Sequence, residues 1–571
     1  MGINITRFLK DRYVWIVLSV SLTVRIYMGI FTYVIQNDSV AFMQNAQYFA
    51  HGDFQSGLAH PYHPMYSLLM AGLYKIVPNM ELSGTIISVF LGTLTVVVFY
   101  LIGRGVFNQK ISFISSLILA FHPYAVRLSA GIISDSTYLF FFLAATGFGF
   151  FAITNGRRLL FALTGVCSAL AYLTRPEGIG VICIVAGWCL LKDCFKMRIV
   201  WKQRFVSIIV LVISFLVFAS PYLVYMRSET GVWILTKKRN LSQNKTIITS
   251  GDLSQDDLVR ENLSKRQVSG ENSTHHTVVN EANENRFSKK AEQHKSGTEG
   301  EEHMEAEFVR NPVPGISLKT YLKSLLYVIT KYLDTYHPIL VIFLIFGVIK
   351  WAKISTKHFF GFYITTIIVF YLVILYRLNI VNIENLFGVN QYPSRRHLMP
   401  IIIPAVFFAG TGVYELGNCI YEKFKRNSRK SGFREICVSE WTVQILVLII
   451  VVAALLPKTL KPQGVDKIGV KKVGHWIKEN SDKPLPAILS ASSRIAYYAN
   501  GKVIQMGDIN DALSIAREEQ TDYILLTNEE HQAIQKQLQQ SIMKKEIMLV
   551  YEVQEESSFN GDMIFLYKML Y

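Results

Sequence analysis

Cysteine is scarce in this sequence, with six among 571 residues. Cys167, Cys183, Cys189, Cys194, Cys419 and Cys437 fall in apolar runs or basic stretches and lack the paired spacing of a zinc site, so neither a disulfide framework nor a metal cluster is indicated. The connection from Asn37 to Pro64 holds no lysine or arginine, and its only carboxylates are Asp38 and Asp53. The carboxyl-terminal region has no glycine-rich phosphate loop and no nucleophile motif, which points it to a lid, acceptor-docking or scaffold role rather than to chemistry. The second half shows no repeat of the first, a pattern that many transporters carry. No small-residue cleavage site follows the first apolar run, which contains Arg25, so that run reads as a retained anchor.

What the chain does have is apolar length. Hydrophobic residues make up 51% of it, which suits one membrane domain with soluble appendages better than a string of soluble domains. The net charge of +16 would suggest nucleic acid in a soluble protein. Here the basic residues sit in short clusters between apolar runs, where they report topology, and no nucleic-acid partner is inferred.

Eleven apolar segments follow one another: Tyr13–Ile35, Leu82–Gly103, Ile111–Tyr124, Ser134–Ile153, Leu159–Leu173, Gly178–Leu191, Phe205–Tyr225, Tyr336–Ile349, Phe359–Leu378, Leu398–Leu416 and Trp441–Leu456. Phe42–Gly52 and His63–Val77 read as interfacial or half-inserted helices. Alternating the connections places Arg104/Lys110, Arg157/Arg158, Lys192–Arg204, Lys350/Lys353/Lys357 and Lys423–Arg434 on one side, the cytoplasmic one. The amino terminus is then cytoplasmic, and the odd count puts the carboxyl terminus outside a cell membrane crossed many times.

The division that follows is a transmembrane module at 1–226 with its first outer loop at 36–66, a polar insert at 227–317, further transmembrane helices at 318–457, and an outer domain at 458–571. The insert is rich in Asn, Ser, Glu, Lys and Gln and lacks the apolar material for a core, so disorder is expected. It carries sequons at Asn240, Asn244, Asn262 and Asn272, and four histidines (His275, His276, His294, His303) without partners at ligand spacing. In the tail, strands at Ala487–Ser490, Val503–Met506, Asp522–Thr527, Ile547–Val553 and Met563–Lys568 alternate with helical stretches, which predicts a small α/β domain.

Polar residues outside the basic clusters collect at the outer ends of the apolar segments. Asp38 follows the first segment, then His60, His63 and Tyr66. Asp135 opens the fourth segment, Arg175 and Glu177 lie between the fifth and sixth, and Glu384, Arg395, Arg396 and His397 precede the tenth. A base beside cations suits a reaction that deprotonates an acceptor while a phosphate departs. Plainer readings stand beside this one. Asp38 and Asp135 could cap helices. Arg175 could simply pair with Glu177, and Arg395 and Arg396 could anchor a helix at headgroup level. Arg25 reads as a snorkelling or carboxylate-paired structural residue. Asp53 reads as solvated or helix-ending.

The order of these motifs resembles a known family. It runs from an Arg-bearing first span and Asn37-Asp38 through His60-Pro-Tyr-His-Pro-Met-Tyr66, Gly103-Arg104-Gly-Val-Phe107, Ser134-Asp135-Ser and Leu173-Thr174-Arg175-Pro-Glu-Gly178 to Arg395-Arg396-His397-Leu-Met-Pro400. It is similar to the GT-C superfamily of polyprenyl-phosphate-sugar-dependent glycosyltransferases, in particular family 39, the bacterial relatives of protein O-mannosyltransferases and the lipid A aminoarabinose transferase. The resemblance implies a polytopic α-helical membrane fold with interfacial helices over an outward-facing cavity. It also implies inverting transfer of a sugar from a polyprenyl-phosphate donor to a protein, lipid or cell-envelope glycan. Carried over by position, Asp38 is the base and Asp135 a second cavity carboxylate. Arg175 with Arg395 or Arg396 takes the lipid phosphate, and His63, Tyr66 and Glu177 lie near the substrate. Many relatives have an acidic pair where this chain has Asn37-Asp38-Ser39, which leaves any divalent-metal dependence open, and no cofactor is assigned. A transporter or lipid flippase is the main alternative, and a non-enzymatic membrane scaffold the second.

Overall fold

The computed structural model describes residues 10–191, 201–237, 318–351, 358–384, 393–431, 439–554 and 563–571. The sequons, the four insert histidines, Cys194, Cys437 and the side chain of Glu384 lie outside them. Among the described residues, seven helices are long and apolar enough to cross a membrane, or nine if each of two bent pairs counts as one span.

The first helix, α1 (Arg12–Ile30), starts at Asp11, whose side chain accepts from the Tyr13 amide at 3.1 Å. Three short helices follow, α2 (Asn37–Ala50), α3 (Phe54–Ala59) and α4 (Met65–Tyr74). Helix α2 begins five residues before the predicted interfacial segment, because Gln36 and Ser39 close a capping box around its first turn. Asp53 starts a helix rather than ending one, since its carboxylate accepts from the Ser56 amide at the head of α3.

Helix α5 (Met80–Val106) is a 27-residue apolar rod. The predicted single segment after it is two helices, α6 (Gln109–Ala120) and α7 (Pro123–Ala130), bent by 56°. Pro123 cannot continue the hydrogen-bond ladder, and the His122 ring caps α7 by accepting from the Ala125 amide. Then come α8 (Asp135–Asn155), α9 (Arg158–Tyr172), a 3-10 turn at Pro176–Ile179, α10 (Gly180–Leu191) and α11 (Trp201–Thr230).

After the insert, α12 (Leu318–Tyr336) meets α13 (Pro338–Trp351) at a 97° bend. His337 sits at that corner in the left-handed region with φ 81°. Next are α14 (His358–Glu384), α15 (Arg395–Ser431) and α16 (Glu440–Thr459). Small residues let α13 and α15 cross closely. A side chain on Gly347 would strike the Phe408 carbonyl, and one on Gly412 the Phe343 carbonyl.

The buried core of this bundle runs through α1, α5, α6, α8 and α13–α16, with Phe99, Phe142, Tyr363, Ile402 and Val406 fully enclosed. Arg25 is 1% exposed and neither snorkels nor meets a carboxylate among the described residues. Its guanidinium donates to the Ser21 carbonyl and hydroxyl and to the Ser129 hydroxyl. These acceptors hold the guanidinium inside the bundle, where Gly92 leaves room beside it.

Beyond α16 the chain forms α17 (Ile468–Asn480), β1 (Ala487–Ser490), α18 (Arg494–Ala499), β2 (Lys502–Gln505), α19 (Ala512–Glu518), β3 (Tyr523–Thr527), α20 (Asn528–Ala533), α21 (Gln535–Met543), β4 (Ile547–Gln554) and β5 (Met563–Met569). The strands make one mixed sheet in the order β2-β1-β3-β5-β4. β1 runs parallel to β2 and β3, while β5 is antiparallel to β3 and β4. Alternation along β3 explains the two-sided core. Tyr523 and Leu525 pack with Val473 and Ile477 of α17, whereas Ile524 and Leu526 pack with Leu513 of α19 and Leu538 of α21.

This carboxyl-terminal region is stitched to the connection between α1 and α2. Tyr33 donates its amide to the Gln463 carbonyl and Gln463 donates to the Phe31 carbonyl, both at 3.0 Å. Gly464 makes the approach possible, because it is left-handed at φ 72° and a side chain there would sit 3.1 Å from Val34. The Lys471 ammonium donates to the Tyr33 carbonyl, and the Tyr498 hydroxyl accepts from the Ile35 amide.

Candidate active site

Helix starts build the site. Asp38 lies in the first turn of α2, Asp135 opens α8, Glu177 lies in the 3-10 turn before α10, and Arg396 lies in the first turn of α15. The partial positive charge of a helix amino terminus favours carboxylates there and disfavours a guanidinium. The three acidic residues are therefore placed with the local field and Arg396 against it, so Arg396 depends on its ion pair.

Neither aspartate is the cap that the plainer reading suggested. Gln36 is the cap residue of α2, and at α8 it is Ser134. Asp38 instead accepts from Arg396 Nη1 at 2.6 Å on one oxygen and from the Tyr62 hydroxyl at 3.0 Å on the other. Asp135, 3% exposed, accepts from Arg175 Nη1 at 2.5 Å, and the other arm of the same guanidinium reaches Glu177 at 3.2 Å. The Arg175 guanidinium also lies over the Tyr138 ring, 5.5 Å from its centre. Arg396 interacts electrostatically with Asp135 and Arg175 as well as with Asp38, which joins the two ion pairs into one charged cluster.

Two groups in the connecting loops are held in definite protonation states. Burial disfavours a charged Arg175, but the carboxylates of Glu177 and Asp135 outweigh it and raise its pKa above the ordinary value. The Tyr62 phenol is pushed up by burial and then by the charge and hydrogen bond of Asp38, so it stays protonated and donates.

The remaining candidates go elsewhere. Arg395 turns from the cluster to Asp334, at 3.0 Å from Nε and 2.9 Å from Nη2, in an exposed pair that Lys458 shares at 3.5 Å. Tyr66 is fully buried and donates to the Gly84 carbonyl, beside the Ser88 hydroxyl. His63 is buried between the Tyr172 and Tyr222 rings, with ring centres 5.1 Å away in each case. Among the described residues no three His, Cys, Asp or Glu side chains are grouped to hold a metal ion.

Tyr62 was not singled out by sequence reasoning, although it stands in the His60-Pro-Tyr-His-Pro-Met-Tyr66 stretch. Its signal was a proline-flanked tyrosine next to the acidic loop. Tyr62→Phe removes the bond to Asp38 and is expected to lower turnover by about 10- to 150-fold at most, the worth of one hydrogen bond to a charged group. The measurement is kcat at saturating donor.

A family model described as dolichyl-phosphate-mannose-protein mannosyltransferase matches residues 59–225. That stretch holds Asp135, Arg175 and Glu177 and stops short of Asp38 on one side and Arg396 on the other. A search of curated proteins finds no match. Among solved structures, ArnT from Cupriavidus metallidurans bound to undecaprenyl phosphate aligns over 98% of both chains with a TM-score of 0.52 and 10% identity. Its apo state aligns over 97% of both at 0.50 and 10% identity. The apo oligosaccharyltransferase of Archaeoglobus fulgidus aligns over 91% of this chain and 70% of that one, at 0.50 and 11% identity. At such identities the likeness is one of fold, and it runs through the helices and the carboxyl-terminal sheet together. The chain is a multi-pass membrane protein that shares its fold with these structures, and its residues 59–225 match the mannosyltransferase family model.

Proposed function

We propose that this chain is an integral-membrane glycosyltransferase that moves a sugar, with inversion, from a polyprenyl-phosphate carrier to an acceptor on the outer side of the membrane. The observation that carries the reading is the linked pair of ion pairs, Asp38–Arg396 and Asp135–Arg175, built from helix starts 358 residues apart in the first and 40 in the second. Asp38 takes the proton of the acceptor hydroxyl or amine, and the freed lone pair attacks the anomeric carbon. The bond from that carbon to the phosphate oxygen breaks, and the electron pair leaves with the lipid phosphate.

Arg396 makes one hydrogen bond among the described residues, from Nη1, so its other donors can face a phosphate. Arg175 holds Asp135 and Glu177 in place at the wall. Asp135, paired with Arg175 and acting electrostatically on Arg396, is suited to orient the sugar or the acceptor.

The same reading extends to topology. Counting each bent pair as one span and adding the short apolar helices at Arg158–Tyr172 and Pro176–Leu191 to the nine gives eleven spans. The basic connections then face the cytoplasm and the sheet-bearing region at 458–571 faces outward with the charged cluster, as separate from the helices at 1–226 and 318–457 in composition as in role.

Purified protein incubated with a radiolabelled polyprenyl-phosphate sugar and candidate acceptors tests the function. Label leaving the lipid for an acceptor supports transfer; label that stays on lipid and only crosses the bilayer would establish a flippase instead. The two neighbouring arginines separate site from surroundings. Arg396→Ala is expected to reduce kcat/KM by about 10²-fold. Arg395→Ala removes an exposed pair worth about 0–1 kcal/mol and leaves transfer within a few-fold of wild type. Equal losses in both variants would count against Arg396 as the phosphate contact.

A further inference from the structure

The residues that hold Asp38 from the front are Arg396 and Tyr62, and a second set holds it from behind. The backbone leading to it is held at Phe31, Tyr33, Ile35 and Asn37 by residues of the carboxyl-terminal region. The Tyr498 hydroxyl accepts from the Ile35 amide at 3.1 Å in a buried bond. Ser492 donates its hydroxyl to the Asn37 side-chain oxygen at 3.2 Å and Ser493 to the Asn37 carbonyl at 3.3 Å, one residue before Asp38. The Tyr498 ring is 5% exposed and packs in the same apolar cluster as Val34, Ile35, Phe42 and Met43, which lie on both sides of the acidic residue. Next to it, the Tyr497 hydroxyl donates to Glu81 in the first turn of α5 at 3.3 Å. These two tyrosines and two serines come from one short stretch, the turn after β1 and helix α18.

Resting on the glycosyltransferase reading above, we infer that Tyr498, Ser492 and Ser493 are positioning residues for the general base. They set the start of α2 and so the distance and direction of the Asp38 carboxylate relative to Arg396 and the acceptor. The physical basis is geometric. A residue in the first turn of a short surface helix has its orientation set by whatever fixes the preceding three residues, and here, beside the Ser39 hydroxyl of the capping box on Gln36, the side-chain hydroxyls that do so belong to α18 and the turn before it, among the described residues. Reaction rates respond steeply to such placement, because a displacement on the order of 1 Å at the reacting groups can cost about 10²-fold. The carboxyl-terminal region is therefore part of the catalytic geometry although it brings no group to the reacting atoms.

Two measurements on the full-length protein in detergent test this. In Tyr498→Phe, which keeps the ring in its packing, and in the Ser492→Ala/Ser493→Ala double variant, kcat is expected to fall roughly tenfold or more. KM for the donor should stay within about twofold. Ser493→Thr in place of Ser493→Ala, which restores a hydroxyl, should recover most of the loss. Hydrogen–deuterium exchange of the peptide covering residues 31–42 should rise in Tyr498→Phe relative to wild type, while peptides from the bundle core remain unchanged. Wild-type kcat together with wild-type exchange in both variants would overturn the inference, as would a rise in acceptor KM at constant kcat, which would mean acceptor docking. If the wild-type protein transfers no sugar at all, the functional reading falls, and the exchange measurement still decides whether Tyr498 fixes the start of α2.

Discussion

Asp38→Asn is expected to leave a protein that inserts and folds yet transfers sugar about 10²- to 10⁴-fold more slowly, the range in which a positioned general base contributes. The amide keeps the shape of the side chain; its oxygen can still accept from Arg396 while its NH2 group donates to the Tyr62 hydroxyl oxygen, so the main loss is the ability to take a proton. Stability should barely change. The Asp38–Arg396 pair is partly exposed, 26% and 34% for the two side chains, and such pairs contribute about 0–1 kcal/mol. Asp53→Asn is the matched control. Asp53 caps α3, and asparagine caps a helix about as well as aspartate. Turnover in single-cycle assays with saturating lipid donor reads the difference, and near-normal transfer by Asp38→Asn would take Asp38 out of the mechanism.

Arg175→Ala is expected to fail in a different way. Asp135 is almost fully enclosed and shares its guanidinium with Glu177. Removing one partner of such a buried arrangement leaves carboxylates without a counter-charge, at a cost of about 3–5 kcal/mol. The variant should melt well below wild type in detergent and show no measurable transfer. Adding Asp135→Asn to it removes one stranded charge and should return part of the melting temperature without returning activity. Arg175→Lys retains a positive charge but cannot reach both carboxylates with a flat fork, so it should fall between the two. A wild-type melting curve for Arg175→Ala would show that the pair carries little stability.

The membrane architecture was largely legible in the sequence, because a span needs about 20 apolar residues and little can imitate that. A helix stands at each of the eleven predicted segments. What the pattern could not show was where a span breaks. The kink at His122-Pro123 and the corner at His337 depend on single residues whose effect composition averages away. The strands of the tail were legible because a short apolar run such as Tyr523–Thr527, set between polar stretches, is a local signal.

The candidate site was legible as residue types at the right ends of segments, and its pairing was not. Arg395 and Arg396 are adjacent and equally basic, yet one step along a helix rotates a side chain by about 100°. The first faces Asp334 and the second Asp38. Tyr66 and His63 carry the same polar character as Tyr62, but the turn at 60–64 sends them inward. The bonds from Ser492, Ser493 and Tyr498 join positions so far apart in the chain that no local pattern records them.

That separation has a consequence for how the molecule is made. Ile35 and Tyr498 are 463 residues apart, and synthesis proceeds at roughly 5–20 residues per second. The acidic loop therefore emerges and waits about 20–90 s before the segment that fastens it exists. Arg396, 358 residues beyond Asp38, is made before Tyr498, so in the last part of that interval the front of α2 lacks α18 alone. Full activity is thus expected only at a late stage of biogenesis, and a chain released before Tyr498, even one with every membrane helix in place, should transfer sugar more slowly than the whole protein.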